Sequence, residues 1–370
     1  MNGSSSRLPA YATCGSQDAE DYARKTEAGL WALLPSEAAW RDRAIHLQQY
    51  GYILRRRYQP NWRPSWLGTN RDPHFYANSQ NYIVIDATRK KDGVRVSLKV
   101  VDRATQEAQI GQYLSRLEVR DDPRNHCVPI LDVLPDPLDL SHQLIVMPYL
   151  RPFNDPEFMT IGEVADFARQ TLEGLTFMHA QGVAHRDCAA GNIMMDGRPL
   201  FPQGHHPVRM DYTEDALWDA PSLSRIDHPV KYYFVDFGIS SRFRPGENPL
   251  VVGEVGRDKE PPELSKEIPY NPFMLDIYIL GNVYQKEFVE KYHGLEFLQP
   301  LISSMLNRIP SSRPTAADAA MAFTRIRSGL HPSLLRRRLR SRKETAPERV
   351  LNDTVAAARE GIYHLKRFVT

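Results

Sequence analysis

The sequence predicts an α+β fold, with a strand-rich first part followed by a helical second part. Three observations carry that prediction. Tyr82–Ile85 and Val94–Val100 are rich in β-branched residues and flank Lys91-Asp92-Gly93, an Asp-Gly hairpin signal. Beyond Tyr149, Val164, Phe167, Ala168, Leu172, Leu175 and Met178 recur at the spacing of one helix face. Further on, MLDIYILGNVY is apolar around most of its circumference, which suits a helix buried inside a lobe.

Taken in order, residues 1–34 are rich in small and polar types and read as a poorly ordered tail. Residues 35–80 form an extension ahead of the strands. Its first part, PSEAAWRDRAIHLQQYGY, opens a helix with the first-turn and cap residues Pro35 and Ser36. Trp40, Ile45 and Leu47 supply its apolar positions. GYILRRRYQPNWRPSW is broken by Pro60 and Pro64 and reads as an extended segment packed on the domain surface. TQEAQIGQYLSRL is helical, and Cys127–Val133 and Gln143–Met147 read as short buried strands. Residues 329–370 make a basic tail, with six Lys and Arg residues in RRRLRSRK, Arg336–Lys343. The run reads as a solvated helix face, and an acidic partner or import factor is its alternative use.

Composition narrows the function classes. The chain has 370 residues with 47 Lys+Arg against 45 Asp+Glu, a net charge of +2, which argues against a generic nucleic-acid binder. No run of about 18 apolar residues is present, so no spanning helix is expected and no membrane partner. The first residues carry no secretory core, and Gly3 is one place too late for myristoylation. Cys14, Cys127 and Cys188 are odd in number and far apart, with no CxxC, which suits free thiols inside a cell, in cytoplasm or nucleus.

The chemistry centres on HRDCAAGN, His185–Asn192, followed downstream by VDFG, Val235–Gly238. A carboxylate five residues before an amide, then a second carboxylate on a strand end, suits phosphoryl transfer. In that chemistry Asp187 would orient a hydroxyl and accept its proton, while Asn192 and Asp236 would supply hard oxygens for Mg²⁺.

The order of several motifs resembles the eukaryotic protein-kinase family over roughly residues 80–328. VSLKVV is similar to the third-strand VAIK motif, which implies that Lys99 grips the α- and β-phosphates of ATP. EAQIGQYL resembles the C-helix, so Glu107 would hold Lys99 by an ion pair. LIVMPYL resembles the last strand and hinge, with Met147 as gatekeeper, the Pro148 carbonyl and the Leu150 N–H facing adenine. His185 and Arg186 complete the catalytic motif around Asp187. PPEL resembles the APE box, with Glu263 paired to Arg313 of SSRPTA, and DIYILG resembles the central buried helix, with Asp276 bonding the catalytic-loop backbone.

The resemblance implies a bilobal protein-kinase-like fold: N-lobe 81–147, hinge 148–151 and C-lobe 152–328, with ATP and Mg²⁺ in the cleft. Its activity would be transfer of the γ-phosphoryl to a protein hydroxyl, Ser/Thr favoured over Tyr as the commoner class. The alternatives are a pseudokinase acting as a binding module and, third, a small-molecule kinase. GYILRRRYQPNW, RNHCVPILDV, HRDCAAGNIMMD and VKYYFVDFG further resemble a group of kinase-like proteins of mushroom-forming fungi.

Four features depart from the family pattern. There is no GxGxxG before the second strand, and Gly68 is the only glycine between Gly51 and Gly93. Cys188, Ala189, Ala190 and Gly191 lack the Lys or Arg that kinases place there, so the transferred phosphoryl loses a cation. Between Asp236 and Glu263 the only hydroxyls are Ser240 and Ser241, so Glu247 or Glu254 is expected to pair with Arg186 and give constitutive activity. The interval from Lys99 to Glu107 is short, and Gly111 falls where an apolar side chain is usual. An insert, 197–230, separates two expected strands and reads as a surface loop covering the lower lobe. His205, His206 and Asp211 within it are a weaker suggestion of a metal.

Overall fold

The computed structural model describes residues 8–76 and 83–369, and it divides into two compact units. Residues 1–7 of the expected tail and Tyr82, at the head of an expected strand, lie outside the described residues. The first unit comprises residues 1–108, 130–149 and 201–222. It is built on an antiparallel sheet of β1 (Tyr52–Leu54), β2 (Val84–Arg89), β3 (Arg95–Asp102), β4 (Asp132–Pro135) and β5 (His142–Pro148). Their spatial order is β1-β2-β3-β5-β4. The Asp-Gly turn closes the β2–β3 hairpin, with Gly93 at φ 71° and Arg89 bonded to the Asp92 carboxylate at 2.6 Å.

Alternation along the strands puts one face into a core. Ile85, Ala87, Val96, Leu98, Leu144 and Val146 pack there against Trp40, Ala44 and Leu47 of the helix Pro35–Gln49. The segment expected on the surface is therefore corrected: Tyr52 and Leu54 point into this core from the edge strand β1, with Tyr58 beside them. Ile45, expected on the apolar face, is instead exposed. Glu37 is fully buried and is held by Arg57 at 2.8 Å and by the Tyr58 hydroxyl at 3.2 Å.

The tail reading also differs from the structure. Ser16–Glu27 is a helix, and its Thr26 hydroxyl accepts from the Trp66 indole at 2.8 Å. Tyr22, Trp31 and His74 meet edge to face beside it. A polar sequence is ordered here by aromatic contacts made far along the chain.

The insert corrects a further expectation. Residues 201–222 belong with the strand-rich unit. Arg95 of β3 donates to the His205 carbonyl at 2.7 Å, and the Tyr149 hydroxyl donates to the Pro207 carbonyl at 3.0 Å. The Tyr11 hydroxyl donates to the Leu217 carbonyl. His206 turns its Nδ1 inward to accept the N–H groups of Val208 and Arg209.

The second unit comprises residues 109–129, 150–200 and 223–370. Its central helix, Ile161–Ala180, starts with a capping box of Thr160 and Glu163 and buries the apolar stripe read from the sequence. The apolar run MLDIYILGNVY lies in the helix Pro272–Tyr284, capped by the Asn271 side chain on Phe273 N–H at 2.9 Å. Phe153, Phe158, Phe167, Tyr232 and Phe288 form an aromatic cluster between these elements. A small sheet joins β6 (Arg151–Pro152), β8 (Ile193–Met195) and β9 (Tyr232–Phe234), while β7 (Val183–Ala184) pairs with β10 (Ser241–Arg242). Cys127 makes an isolated bridge to Phe234, and no continuous strand runs from Cys127 to Val133.

The basic run is not a solvated helix face. Arg336 ends a short helix and reaches Asp227 at 3.2 Å, Leu339 is buried, and Arg340–Ser341 pairs with Tyr292–His293. Arg338 bridges Glu344 and Asp353, each at 2.7 Å. Part of its charge is spent on the chain's own carboxylates. A strand-rich unit and a helical unit are the α+β make-up of a bilobal kinase-like fold.

Candidate active site

In the first unit β3 presents Lys99, whose Nζ lies 2.6 Å from Glu107 Oε1. Glu107 opens an eight-residue helix, Glu107–Leu114. The short interval between them is closed by Asp102, which accepts from Ala104 N–H at 2.8 Å and from the Thr105 hydroxyl at 2.8 Å. Both partners are largely buried, with side-chain exposures of 13% and 8%, so the pair sits where Coulomb attraction is little screened. Met147 and Pro148 stand at the end of β5, opposite Ser97 and Val96, and Met147 is buried. Leu150 is buried and belongs to the second unit.

In the second unit the loop after β7 carries His185, Arg186 and Asp187. Asp276, fully buried in the helix Pro272–Tyr284, accepts the backbone N–H of His185 at 2.8 Å and of Arg186 at 2.6 Å. That clamp holds Arg186 at φ 67°, a left-handed conformation that costs a Cβ-bearing residue about 1–2 kcal/mol. Asp236 has the same φ of 67°. Two candidate site residues thus carry a backbone conformation that only the surrounding structure can hold.

Asp187 is held from both sides. Asn192 Nδ2 donates to its Oδ2 at 2.8 Å and to its carbonyl at 2.9 Å. Arg257 N–H donates to its Oδ1 at 2.7 Å. Asn192 leads into β8 and Asp236 follows β9, and the register Ile193↔Phe234 brings the two to the same end of the hairpin. The structure thus gathers Asp187, Asn192 and Asp236 in one unit and Lys99 with Glu107 in the other.

His185, grouped with the catalytic residues by its motif, faces no solvent. Its Nε2 bonds the Val235 carbonyl at 3.0 Å, its Nδ1 accepts Asp187 N–H, and burial lowers its pKa, so it is a neutral brace for the loop. Cys188 is likewise buried, with its thiol on the Asp276 carbonyl and its pKa pushed up by desolvation.

The expectation for Arg186 is corrected. Its guanidinium donates to the carbonyls of Ile239 at 3.2 Å and Val252 at 3.0 Å and to the Ser241 hydroxyl at 3.2 Å. Glu247 is instead taken by Arg244 N–H, so the arginine braces the activation segment through carbonyls. Glu263 and Arg313 do pair, with Arg313 Nη2 2.8 Å from Glu263 Oε2. The contact that sequence reading missed is Arg257 on Asp187. Its traces in the sequence are the glycines at 191 and 256.

In the insert, His205 Nδ1 bonds the His206 carbonyl at 3.1 Å, and His206 accepts from backbone. Among the described residues no group of three or more His, Cys, Asp or Glu is placed to hold a metal.

No family model matches the chain. It is similar to a casein kinase II subunit alpha homologue of Encephalitozoon cuniculi, with 24% identity over 55% of this chain and 55% of that one. Human protein-tyrosine kinase 6 is 27% identical over 40% of this chain and 37% of its own. The serine/threonine-protein kinase PAK mbt of Drosophila melanogaster is 24% identical over 67% of this chain and 38% of its own. The chain therefore spans about half or less of the length of these relatives. All three are protein kinases, which supports placing the chain in the kinase superfamily.

Proposed function

We propose that this chain is a protein kinase that transfers the γ-phosphoryl of Mg²⁺·ATP to a protein hydroxyl. The observation that carries the reading is Asp187, a buried carboxylate fixed by Asn192 and by a backbone N–H, so that it meets an incoming hydroxyl already oriented. Asp187 takes the hydroxyl proton as the new phosphorus–oxygen bond forms and the bond to ADP breaks, its electron pair leaving on the ADP oxygen. Asn192 commits its Nδ2 to Asp187, which leaves the amide oxygen, with the Asp236 carboxylate, as hard donors of the kind Mg²⁺ takes. When bound, that cation offsets charge on the phosphate oxygens. Lys99, set by Glu107, would hold the α- and β-phosphates.

The acceptor is proposed to be Ser or Thr, and the location cytoplasm or nucleus, in keeping with three free cysteines. Kinship with the fungal kinase-like group is part of the same reading. A second reading, a pseudokinase that binds partners, is favoured by one observation. Residues 55–83 join β1 to β2, with Gly68 as their only glycine. Radiolabelled ATP with casein as acceptor separates the two. Incorporation that disappears in Asp187→Asn supports the kinase, and equal background in both proteins supports the pseudokinase.

A further inference from the structure

Phosphoryl transfer builds negative charge beside the carboxylate that orients the attacking hydroxyl, and the loop from Cys188 to Gly191 offers no cation to face it. The structure brings one from another segment. Arg257 donates its N–H to Asp187 Oδ1 at 2.7 Å, and its Nε lies 3.9 Å from Asp187 Oδ2. Its guanidinium rests on Gly191: a Cβ at position 191 would lie 3.0 Å from Arg257 Nη1, 3.2 Å from Cζ and 3.4 Å from Nε. Arg257 therefore fills the volume that a side chain at 191 would enter. Gly191 does not lie in the left-handed region, so its backbone admits any L residue, and the arginine is what takes the space.

The preceding residue fits the same arrangement. Gly256 has φ +123°, and a Cβ there would stand 3.4 Å from Asp187 Oδ1 and from the Arg186 carbonyl. Only a glycine lets the activation segment turn this close to the catalytic loop and deliver the next residue's N–H to Asp187. Asp187 is buried whereas the Arg257 side chain is 60% exposed. The guanidinium can thus hold the carboxylate on one edge and offer its remaining donors outward, as a planar fork suits.

We propose that Arg257, carried by the activation segment, is the catalytic cation for the transferred phosphoryl and replaces a basic residue of the catalytic loop. This inference rests on the kinase reading. Arg257 exchanges no atoms in the step; it steadies the Asp187 carboxylate through its backbone N–H and offsets charge on the phosphoryl oxygens in flight.

The test compares Asp187→Asn, Arg257→Ala and the double variant Arg257→Ala/Gly191→Arg with the unaltered chain, using radiolabelled ATP and casein. Arg257→Ala is expected to lower kcat by about 10²–10³ with KM for ATP little changed, the signature of an interaction made in the transition state. The rise in Tm on adding Mg²⁺·ATP is expected to persist in Arg257→Ala. The double variant, with a cation restored from the loop itself, is expected to recover at least about tenfold of the lost rate.

An Arg257→Ala protein with unchanged kcat overturns the proposal and leaves the kinase reading standing. A loss that the double variant fails to recover, or that comes with a lost Mg²⁺·ATP response, also overturns it. The residue would then be holding the loop and not facing the phosphoryl. Transfer by the unaltered chain equal to that of Asp187→Asn overturns the kinase reading and the proposal with it.

Discussion

Asp276 accepts the backbone N–H of Arg186 at 2.6 Å, and through that bond the helix Pro272–Tyr284 holds the loop after β7 in its left-handed turn. The same carboxylate takes His185 N–H at 2.8 Å and His179 Nε2 at 3.0 Å. Asp276→Ala leaves two buried backbone donors unsatisfied at about 1–3 kcal/mol each, a loss of about 2–6 kcal/mol. Asp276→Asn keeps one acceptor and turns an amide N–H₂ toward the other donor, so it should fall between. Urea midpoints rank the three proteins, and an Asp276→Ala midpoint matching the unaltered chain would refute the clamp.

Lys99 and Glu107 make a second testable pair. Lys99→Met strands a carboxylate that is 8% exposed, and breaking a buried pair in this way costs about 3–5 kcal/mol. Adding Glu107→Gln removes the stranded charge and should return part of the stability. On the proposed kinase reading neither variant should show the Mg²⁺·ATP-dependent rise in Tm of the unaltered chain, since the cation proposed for the phosphates is gone in both. Thermal melts with and without the nucleotide check both halves.

The helical unit was the more legible of the two, and the reason is physical. Phe167, Leu172 and Met178 declare their helix face because one continuous element needs a stripe every three to four residues. Lys99, Asp187, Asn192 and Asp236 stand out in the sequence because the expected chemistry restricts the residue types, and all four sit in short local motifs. The edge strand β1 was hidden: three residues, Tyr52 to Leu54, are too few for alternation to stand out before an arginine run. The helix Ser16–Glu27 was hidden because its order comes from Trp66 and His74, some fifty residues away in sequence, and not from its own polar composition. Neither the insert's attachment through Arg95 nor the approach of Arg257 to Gly191 has a local pattern, since both join segments far apart in the chain.

Acid should loosen the insert from its own unit. His206 accepts two backbone N–H groups on Nδ1, from Val208 at 3.2 Å and Arg209 at 3.0 Å, so protonation there would set donor against donor. Burial is the main cause that pushes its pKa down to about 4, with Arg55, Arg95, Arg209 and His205 facing it. Unfolded, the ring titrates near 6.5, so between about pH 6.5 and 4 the unfolded chain binds more protons. Stability is then full above pH 6.5 and falls as the pH drops toward 4. His206→Asn keeps an acceptor near Nδ1 without the titration, and a Tm profile that stays flatter over this window is the expected outcome. Parallel profiles for the two proteins would count against it.

Glu263 and Arg313 tie the end of the activation segment to a point fifty residues on, and the tie is one fork with several acceptors. Arg313 has no exposed side-chain surface; besides Glu263 it reaches the Met274 carbonyl at 2.9 Å and the Asn307 carbonyl at 2.7 Å, with Tyr278 beneath it at 4.6 Å. Glu263→Gln keeps the shape of the side chain but leaves the guanidinium uncompensated, a loss of about 3–5 kcal/mol. Arg313→Lys should also destabilise, because one ammonium cannot reach three separated acceptors that a planar fork spans. The double variant Glu263→Gln/Arg313→Met should lose less than the sum of its single changes, since no buried charge is then left alone. Urea unfolding of all four proteins closes the cycle. Strict additivity would mean that the two residues act independently and that the tie is not what holds the segment's end.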